Sequence, residues 1–224
     1  LFFSGPGYTS MEMDLHIHTN RYSGCSNLPP SGLLRKAREA GLDGIALTEH
    51  GIRWSDDNLQ ELVEASGVKD LLVLAGQEVA CYTKRGEFQG EFLLFGYPRS
   101  LGSSRSLESI LELVHGEGGV VIAAHPFKKI VSSNSDFYGA GFRVYDYDLD
   151  GLEVAHPSYD RESTILAEEA MKKRNLAGIG CSDAHDLRSV GLCRTVFPDP
   201  ITDMAGLCEA IRARRVTARC LKAV

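Results

Sequence analysis

The stretch Met13-Asp14-Leu15-His16-Ile17-His18-Thr19 sets two imidazoles two residues apart. In an extended strand side chains alternate between faces, so His16 and His18 point the same way and can reach one cation together, while Leu15 and Ile17 turn into apolar packing. Taken alone, such a pair could equally decorate a half-buried strand. The rest of the chain weighs against that. Asp183-Ala184-His185 repeats the spacing, and His50, Glu78 and His125 each close an apolar stretch; five of the seven histidines belong to this set. Imidazoles and carboxylates without thiolate suit zinc, manganese or iron, and a set of this size implies two or three divalent ions.

The elements that must position these residues alternate in type. Apolar runs over 43–48, 71–75, 120–124, 151–156 and 177–185 read as strands, and helical spacing appears over 31–40, 55–66, 107–114, 160–173 and 203–214. Ser31 is the expected N-cap of the first helix. A further strand over 91–97 is expected to pair with 79–83 through the Lys84-Arg85-Gly86 turn, and 194–197 reads as a last strand. Residues 127–148 lack periodicity and read as a functional lid containing one helical turn. Strands alternating with helices imply a largely parallel sheet, and ligand-type residues at strand exits fit a (β/α) barrel with its site on the C-terminal face.

Composition narrows the function classes. With 224 residues, 43% of them hydrophobic, the chain suits one domain over 11–224, with 1–10 read as a leader or expression remnant. A net charge of -6 opposes a broad cationic surface for long nucleic acid. No apolar run is long enough to cross a bilayer. Six dispersed cysteines without a CxxC pair suggest reduced thiols and a cytoplasmic protein. Neither a GxSxG elbow nor a phosphate-binding loop motif is present.

Taken together, Asp14-Leu15-His16-Ile17-His18-Thr19, Ala46-Leu47-Thr48-Glu49-His50, Gly76-Gln77-Glu78, Ala123-Ala124-His125-Pro126-Phe127, Gly151-Leu152-Glu153-Val154 and Ser182-Asp183-Ala184-His185 resemble the PHP family. This is the polymerase and histidinol phosphatase superfamily of metal-dependent phosphoesterases. The resemblance implies an α/β fold, a distorted seven-stranded (β/α) barrel with a multinuclear metal centre at the C-terminal end of its strands. It also implies that His16, His18, His50, Glu78, His125, Asp183 and His185 match ligand positions.

Three departures stand out. Many similar sequences carry a further Asp or His after the HxH strand, where Arg21-Tyr22-Ser23-Gly24-Cys25-Ser26 offers neither, so a third ion is expected to be lost or weakly held. Glu91 stands where a histidine is common and is expected to serve as a ligand. His156 replaces a commoner asparagine and reads as a substrate contact or substitute ligand. Asp14 and Glu49 are expected to orient histidines, and His115 to be structural. Cys181 reads as a small buried hydrophobe, and Trp54 and the aromatics of 145–148 as loop anchors.

The reaction expected from the resemblance is hydrolysis of a phosphate ester by metal-activated water, with Asp183 and His185 catalytic and Lys128, Arg21 and His156 toward the substrate. A small phosphomonoester such as a nucleotide or sugar phosphate is the expected substrate. The alternatives are exonuclease-like cleavage of short oligonucleotides and a non-catalytic PHP module. No long nucleic acid or membrane partner is expected, and the oligomeric state is not legible.

Overall fold

The computed structural model describes residues 10–130 and 137–221, so the expected leader, except Ser10, and part of the expected lid lie outside the described residues. The first half runs β1 (Met11–Ile17), α1 (Pro30–Glu39), β2 (Gly44–Leu47), α2 (Asp56–Ser66), β3 (Leu72–Ala75), β4 (Gln77–Tyr82) and β5 (Phe88–Phe95). Then follow α3 (Leu107–Gly116), β6 (Val120–Ala123), a 3-10 turn (Gly141–Tyr145), β7 (Gly151–Ala155), α4 (Arg161–Arg174), β8 (Ala177–Gly180), β9 (Cys193–Phe197), α5 (Met204–Arg212) and β10 (Thr217–Cys220).

The strands form two five-stranded sheets, ordered β10-β9-β1-β2-β3 and β4-β5-β6-β7-β8. The expected parallel pattern holds for β1-β2-β3 and β6-β7-β8. It fails at β5, which is antiparallel to both neighbours, and at β9 and β10. The short Lys84-Arg85-Gly86 connection dictates the first exception, because so brief a turn returns the chain antiparallel. Two isolated parallel bridges join the sheets at their ligand-bearing ends: Ile17 with Ala184, and His50 with Glu78.

A bulge in β1 decides which residues face the centre. Asp14 pairs with Ile45 and Ile17 with Leu47, so β1 spends one more residue than β2 over the same interval. Met13 and Leu15 pack between the sheets against Leu93, Ile122 and Ile179. Beyond the bulge Ile17 turns outward, to Leu33 and Leu34 of α1 and to Ala184. Uniform alternation would send Leu15 and Ile17 to one core; the extra residue instead puts His16 and His18 on the interior side.

Helix ends follow local chemistry. Ser55, Ser106, Asp160 and Asp203 accept from the backbone N–H groups that open α2, α3, α4 and α5. The first helix differs from expectation: it begins at Pro30, with Pro29 rather than Ser31 at the cap position and no side-chain cap. Proline suits this place because it lacks an N–H that would go unpaired.

The 127–148 segment folds partly onto the core. Its helical turn is the 3-10 turn, with Val144 buried, and Lys129 bridges Phe137. The cysteine expectation is corrected at two positions: β10 lies antiparallel to β9 with Cys193 opposite Cys220, and the two are joined as a disulfide. Cys25, Cys81, Cys181 and Cys208 are free, and Cys181 is buried between the sheets.

Candidate metal centre

The two bridges assemble the ligand set. At the first, the His18 N–H donates to the Ala184 carbonyl at 3.0 Å and the Ala184 N–H to the His16 carbonyl at 3.2 Å. Residues flanking a parallel pair share a face, so His16, His18, Asp183 and His185 project together while Ile17 and Ala184 fill the core behind them. Asp183 and His185 were expected on a strand; β8 ends at Gly180, and the bridge supplies the extended geometry instead. Asp183 has a φ of 50° and His125 one of 28°, a strained backbone that places both carboxylate and imidazole at the centre.

At the second bridge, the Glu78 N–H donates to the Glu49 carbonyl at 3.0 Å and the Gly51 N–H to the Glu78 carbonyl at 2.6 Å. This brings His50 Nδ1 to 3.0 Å from Glu78 Oε2. Gly51 is required here, because its φ is 64° and a Cβ would lie 2.7 Å from the Gly102 backbone.

Glu78 stands in the middle. Its Oε1 is 3.3 Å from His16 Nε2 and 3.1 Å from His125 Nε2, while Oε2 is 3.3 Å from His18 Nε2. Four overlapping groups offer ligand atoms within 4.8 Å of one another: His18, His50 and His185; His16, Glu78 and His125; His16, His18 and Asp183; His50, Glu78 and Glu91. Every ligand-type residue expected from the sequence is therefore brought together, Glu91 included.

Outward hydrogen bonds orient the imidazoles. His16 Nδ1 pairs with Glu153 Oε1 at 2.8 Å, and the other Glu153 oxygen accepts the backbone N–H of His125 at 2.6 Å, while the His125 ring Nδ1 has no partner among the described residues. His18 Nδ1 lies 3.2 Å from Ser23 Oγ, whose hydroxyl donates to Glu49 Oε2 at 2.5 Å, so the imidazole N–H must be the donor to Ser23. Glu49 also accepts from the Thr19 N–H and hydroxyl and from the Trp54 indole. Asp14 accepts from Ser182 and Gly191. Glu49 thus reaches the His18 ring through Ser23, whereas Asp14, expected to orient a histidine, contacts backbone N–H groups and the Ser182 hydroxyl but no imidazole among the described residues. Glu153 and Ser23 had no assigned role; the available signal for Glu153 was a carboxylate inside the otherwise apolar run Gly151-Leu152-Glu153-Val154-Ala155.

With both Nδ1 atoms engaged, His16 Nε2 and His18 Nε2 face each other at 2.9 Å. Two lone pairs cannot sit there without a shared cation. Burial disfavours the His16 imidazolium, but Glu78, Glu153 and Asp183 outweigh it and hold its pKa well above the ordinary value. Burial lowers that of His18. Both Nε2 atoms thus face the same point, where a divalent ion would satisfy the two nitrogens together. Burial pushes Glu78 upward, but His16, His125 and His18 reverse this and hold it well below the usual carboxylate range. The donors fit divalent ions: buried except for the partly exposed His50 and His185, positioned by surrounding groups, and balanced between carboxylate and imidazole.

Glu91 differs from Glu78. Burial, with Glu78 close by, pushes it up to about 7, and its Oε2 lies 3.6 Å from His125 Nε2. Of the substrate-side candidates, Lys128 Nζ is 3.1 Å from Asp183 Oδ2 and sits 5.3 Å from the ring centre of half-exposed Tyr138. His156 is buried with Nε2 3.5 Å from Asp183 Oδ2; its Nδ1 accepts the Ser158 N–H, so Nε2 carries the proton and cannot act as a ligand in that tautomer. Arg21 makes its described contacts with the rings of Tyr22 and Trp54, not with the ligand set. His115, on α3, pairs with Asp150 immediately before β7, a structural contact.

Comparison with known proteins agrees with this geometry. The PHP domain model matches residues 14–185, and a PHP-associated model matches 165–216. An uncharacterised protein of Methanocaldococcus jannaschii is 32% identical over 165 residues, covering 69% of this chain and 86% of that protein. Among solved structures, a Bacteroides vulgatus two-domain protein containing a predicted PHP-like metal-dependent phosphoesterase is similar with a TM-score of 0.64 at 23% identity. That likeness covers 95% of this chain but 65% of the other protein's length. A candidate metal-dependent phosphoesterase from Bifidobacterium adolescentis is similar with a TM-score of 0.60 at 20% identity, over 92% of this chain and 96% of that one. Among the described residues, no helix is long and apolar enough to cross a membrane. Because the domain match spans most of the sequence and encloses the whole ligand set from His16 to His185, the chain belongs to the PHP domain family.

Proposed function

We propose that this protein is a metal-dependent phosphoesterase that hydrolyses a small phosphomonoester, such as a nucleotide or sugar phosphate. The observation carrying this reading is the shared carboxylate of Glu78, with imidazoles on both oxygens and the His16 and His18 rings oriented from behind by Glu153 and Ser23. A carboxylate so placed suits two ions held side by side, and the His18, His50 and His185 group accommodates a third. A distorted seven-stranded barrel is the reading of the two five-stranded sheets that we favour, supported by the bridges that join them at the ligand-bearing ends.

When bound, two or three zinc, manganese or iron ions supply Lewis acidity and a water that ionises near neutral pH, at about 7. The chain's own residues do the positioning. Glu78, Asp183 and the histidines fix the reacting groups, and Lys128, charged beside Asp183, binds a phosphoryl oxygen at the mouth. His156 Nε2–H, buried and without a hydrogen-bond partner, is a second donor for that oxygen. His185 gives its Nδ1–H to the Asp183 carbonyl at 2.9 Å, which leaves the Nε2 lone pair to hold an ion, or to take up the proton released by the attacking water and hand it to the departing alcohol.

A phosphodiesterase acting on short oligonucleotides is the second reading, favoured by Tyr138, whose half-exposed ring lies 5.8 Å from that of His125 and offers a stacking surface for a base. Metal analysis coupled to a panel of phosphomonoesters, bisphosphates and short oligonucleotides tests both. Release of inorganic phosphate that stops on chelation supports the first reading. Terminal nucleotide release supports the second, and full turnover by verified metal-free protein overturns both.

A further inference from the structure

Cys193 and Cys220 are joined across the β9–β10 pair, in a protein whose four other cysteines are free thiols. The two sulfurs differ in reach. Cys193 is buried, whereas Cys220 is half-buried and lines a cavity of about 480 Å³ between α4 and β10. Met171 of α4, Val154 of β7 and Ala218 of β10 give it apolar walls, and exposed Lys172 and Thr217 stand beside them, so the cavity opens to solvent. Such a volume admits a low-molecular-weight thiol.

The strand held by this bond is lightly attached in other respects. All of β10 is exposed or half-buried; beside the disulfide, the ladder to β9, the packing of Ala218 on the core and the ion pair of exposed Arg219 with Glu12 hold it. A short series of contacts leads from its end to the metal centre. The Leu221 N–H donates to the Leu192 carbonyl at 2.8 Å, and the adjacent Gly191 N–H donates to Asp14 Oδ2 at 2.8 Å. Asp14 in turn accepts the Ser182 N–H at 3.1 Å, one residue before Asp183.

From this placement we propose that Cys220 is a thiol-modification site, through which a small thiol opens the Cys193–Cys220 bond and loosens the segment carrying Asp183 and His185. A thiolate entering the cavity attacks Cys220 Sγ and forms a mixed disulfide there; the electron pair of the broken S–S bond leaves with Cys193, which takes up a proton. A second thiol then displaces Cys220 from the mixed disulfide, giving the small-molecule disulfide and a Cys220 thiol. Two electrons pass from two thiols to the protein, and no other reactant is needed. With the bond open, β10 frays, and the contacts of Leu192 and Gly191 that brace Asp14 slacken. The effect on ion affinity rests on the metal-centre reading above, whereas the chemistry at Cys220 stands apart from it.

Free cysteine is the probe. Disulfide-bonded protein is incubated with it, quenched with acid, alkylated and mapped by mass spectrometry. A cysteinyl adduct is expected on Cys220 and none on Cys193, and a polymer-linked thiol too large for the cavity is expected to react about tenfold more slowly. An adduct on Cys193, or equal rates for the two thiols, overturns the assignment to Cys220. In the reduced protein, amide exchange at Gly191 and Leu221 is expected to quicken by about tenfold, and zinc affinity to fall by about tenfold. Cys220→Ser is expected to show both changes at every thiol concentration. Exchange and zinc affinity indifferent to reduction overturn the loosening. Failure of the disulfide-bonded protein to bind zinc overturns the metal centre instead, while the adduct and the exchange rates still decide the role of Cys220.

Discussion

Ile17 and Ala184 form a parallel bridge from opposite ends of the chain, and their side chains share one apolar cluster while the residues on either side of each converge on the metal centre. The His-x-His and Asp-x-His sequences therefore work as one unit. Each is positioned by the backbone of the other, through the 3.0 and 3.2 Å hydrogen bonds at Ala184.

Glu153 holds the imidazole of His16 and the backbone of His125 with its two oxygens. Glu153→Gln turns one oxygen into a donor facing a donor and removes the charge opposite His16. The substitution is expected to weaken metal binding by about 10–100-fold while the fold persists. Competition against a chromogenic chelator measures it, and unchanged affinity would refute the orienting role.

Glu49 collects four donors from Thr19, Ser23 and Trp54 in a fully buried position. Glu49→Ala strands all of them and is expected to cost about 3–5 kcal/mol of stability. Denaturant unfolding followed by the fluorescence of Trp54, the single tryptophan, reads the loss directly.

The pH dependence of metal uptake follows from Glu91, which burial and Glu78 push up to about 7. An ion at the His50, Glu78 and Glu91 group needs the ionised carboxylate. Above pH 7 Glu91 has no proton to give up; below it, Glu91 alone lowers affinity by about tenfold for each unit of acidification, and His50, raised by its contact with Glu78, must also release a proton. Affinity is thus expected to rise with pH, the Glu91 contribution levelling off above 7. Glu91→Gln should lose the Glu91 contribution to that slope, and calorimetric titrations at several pH values compare the two.

Lys128 faces Asp183, which outweighs the burial that would otherwise lower its pKa, so the ammonium stays charged at neutral pH. Lys128→Met keeps the aliphatic stem and removes the charge. We expect KM for a phosphomonoester to rise by about 10–100-fold, the range of a lost charge-assisted hydrogen bond, with bound metal unchanged. Steady-state kinetics beside metal analysis distinguish this from damage to the centre.

Much of the centre was legible because ligand chemistry is written in residue type: His16, His18, His50, Glu78, Glu91, His125, Asp183 and His185 do converge. What carries them there was less so. The bulge in β1 is a choice of register against β2, and period-two patterning contains no trace of it. Asp183 and His185 mimic a strand in sequence, yet their order comes from one bridge to a distant residue. β10 escaped notice because its four residues are only exposed or half-buried, and its pairing with β9 brought the Cys193–Cys220 link with it. Arg21 looked like a phosphate ligand by charge alone, whereas the aromatic faces of Tyr22 and Trp54 compete for it.

The Ile17–Ala184 bridge also sets a schedule for the protein's birth. During synthesis β1 can pair with β2 as soon as that strand follows it, but the Ala184 backbone emerges only after β2 to β8 have all been made. Until then His16 and His18 lack Asp183 and His185, and an ion encountered early finds an incomplete set of donors. Full metal affinity therefore waits until the segment after β8 has paired back onto β1.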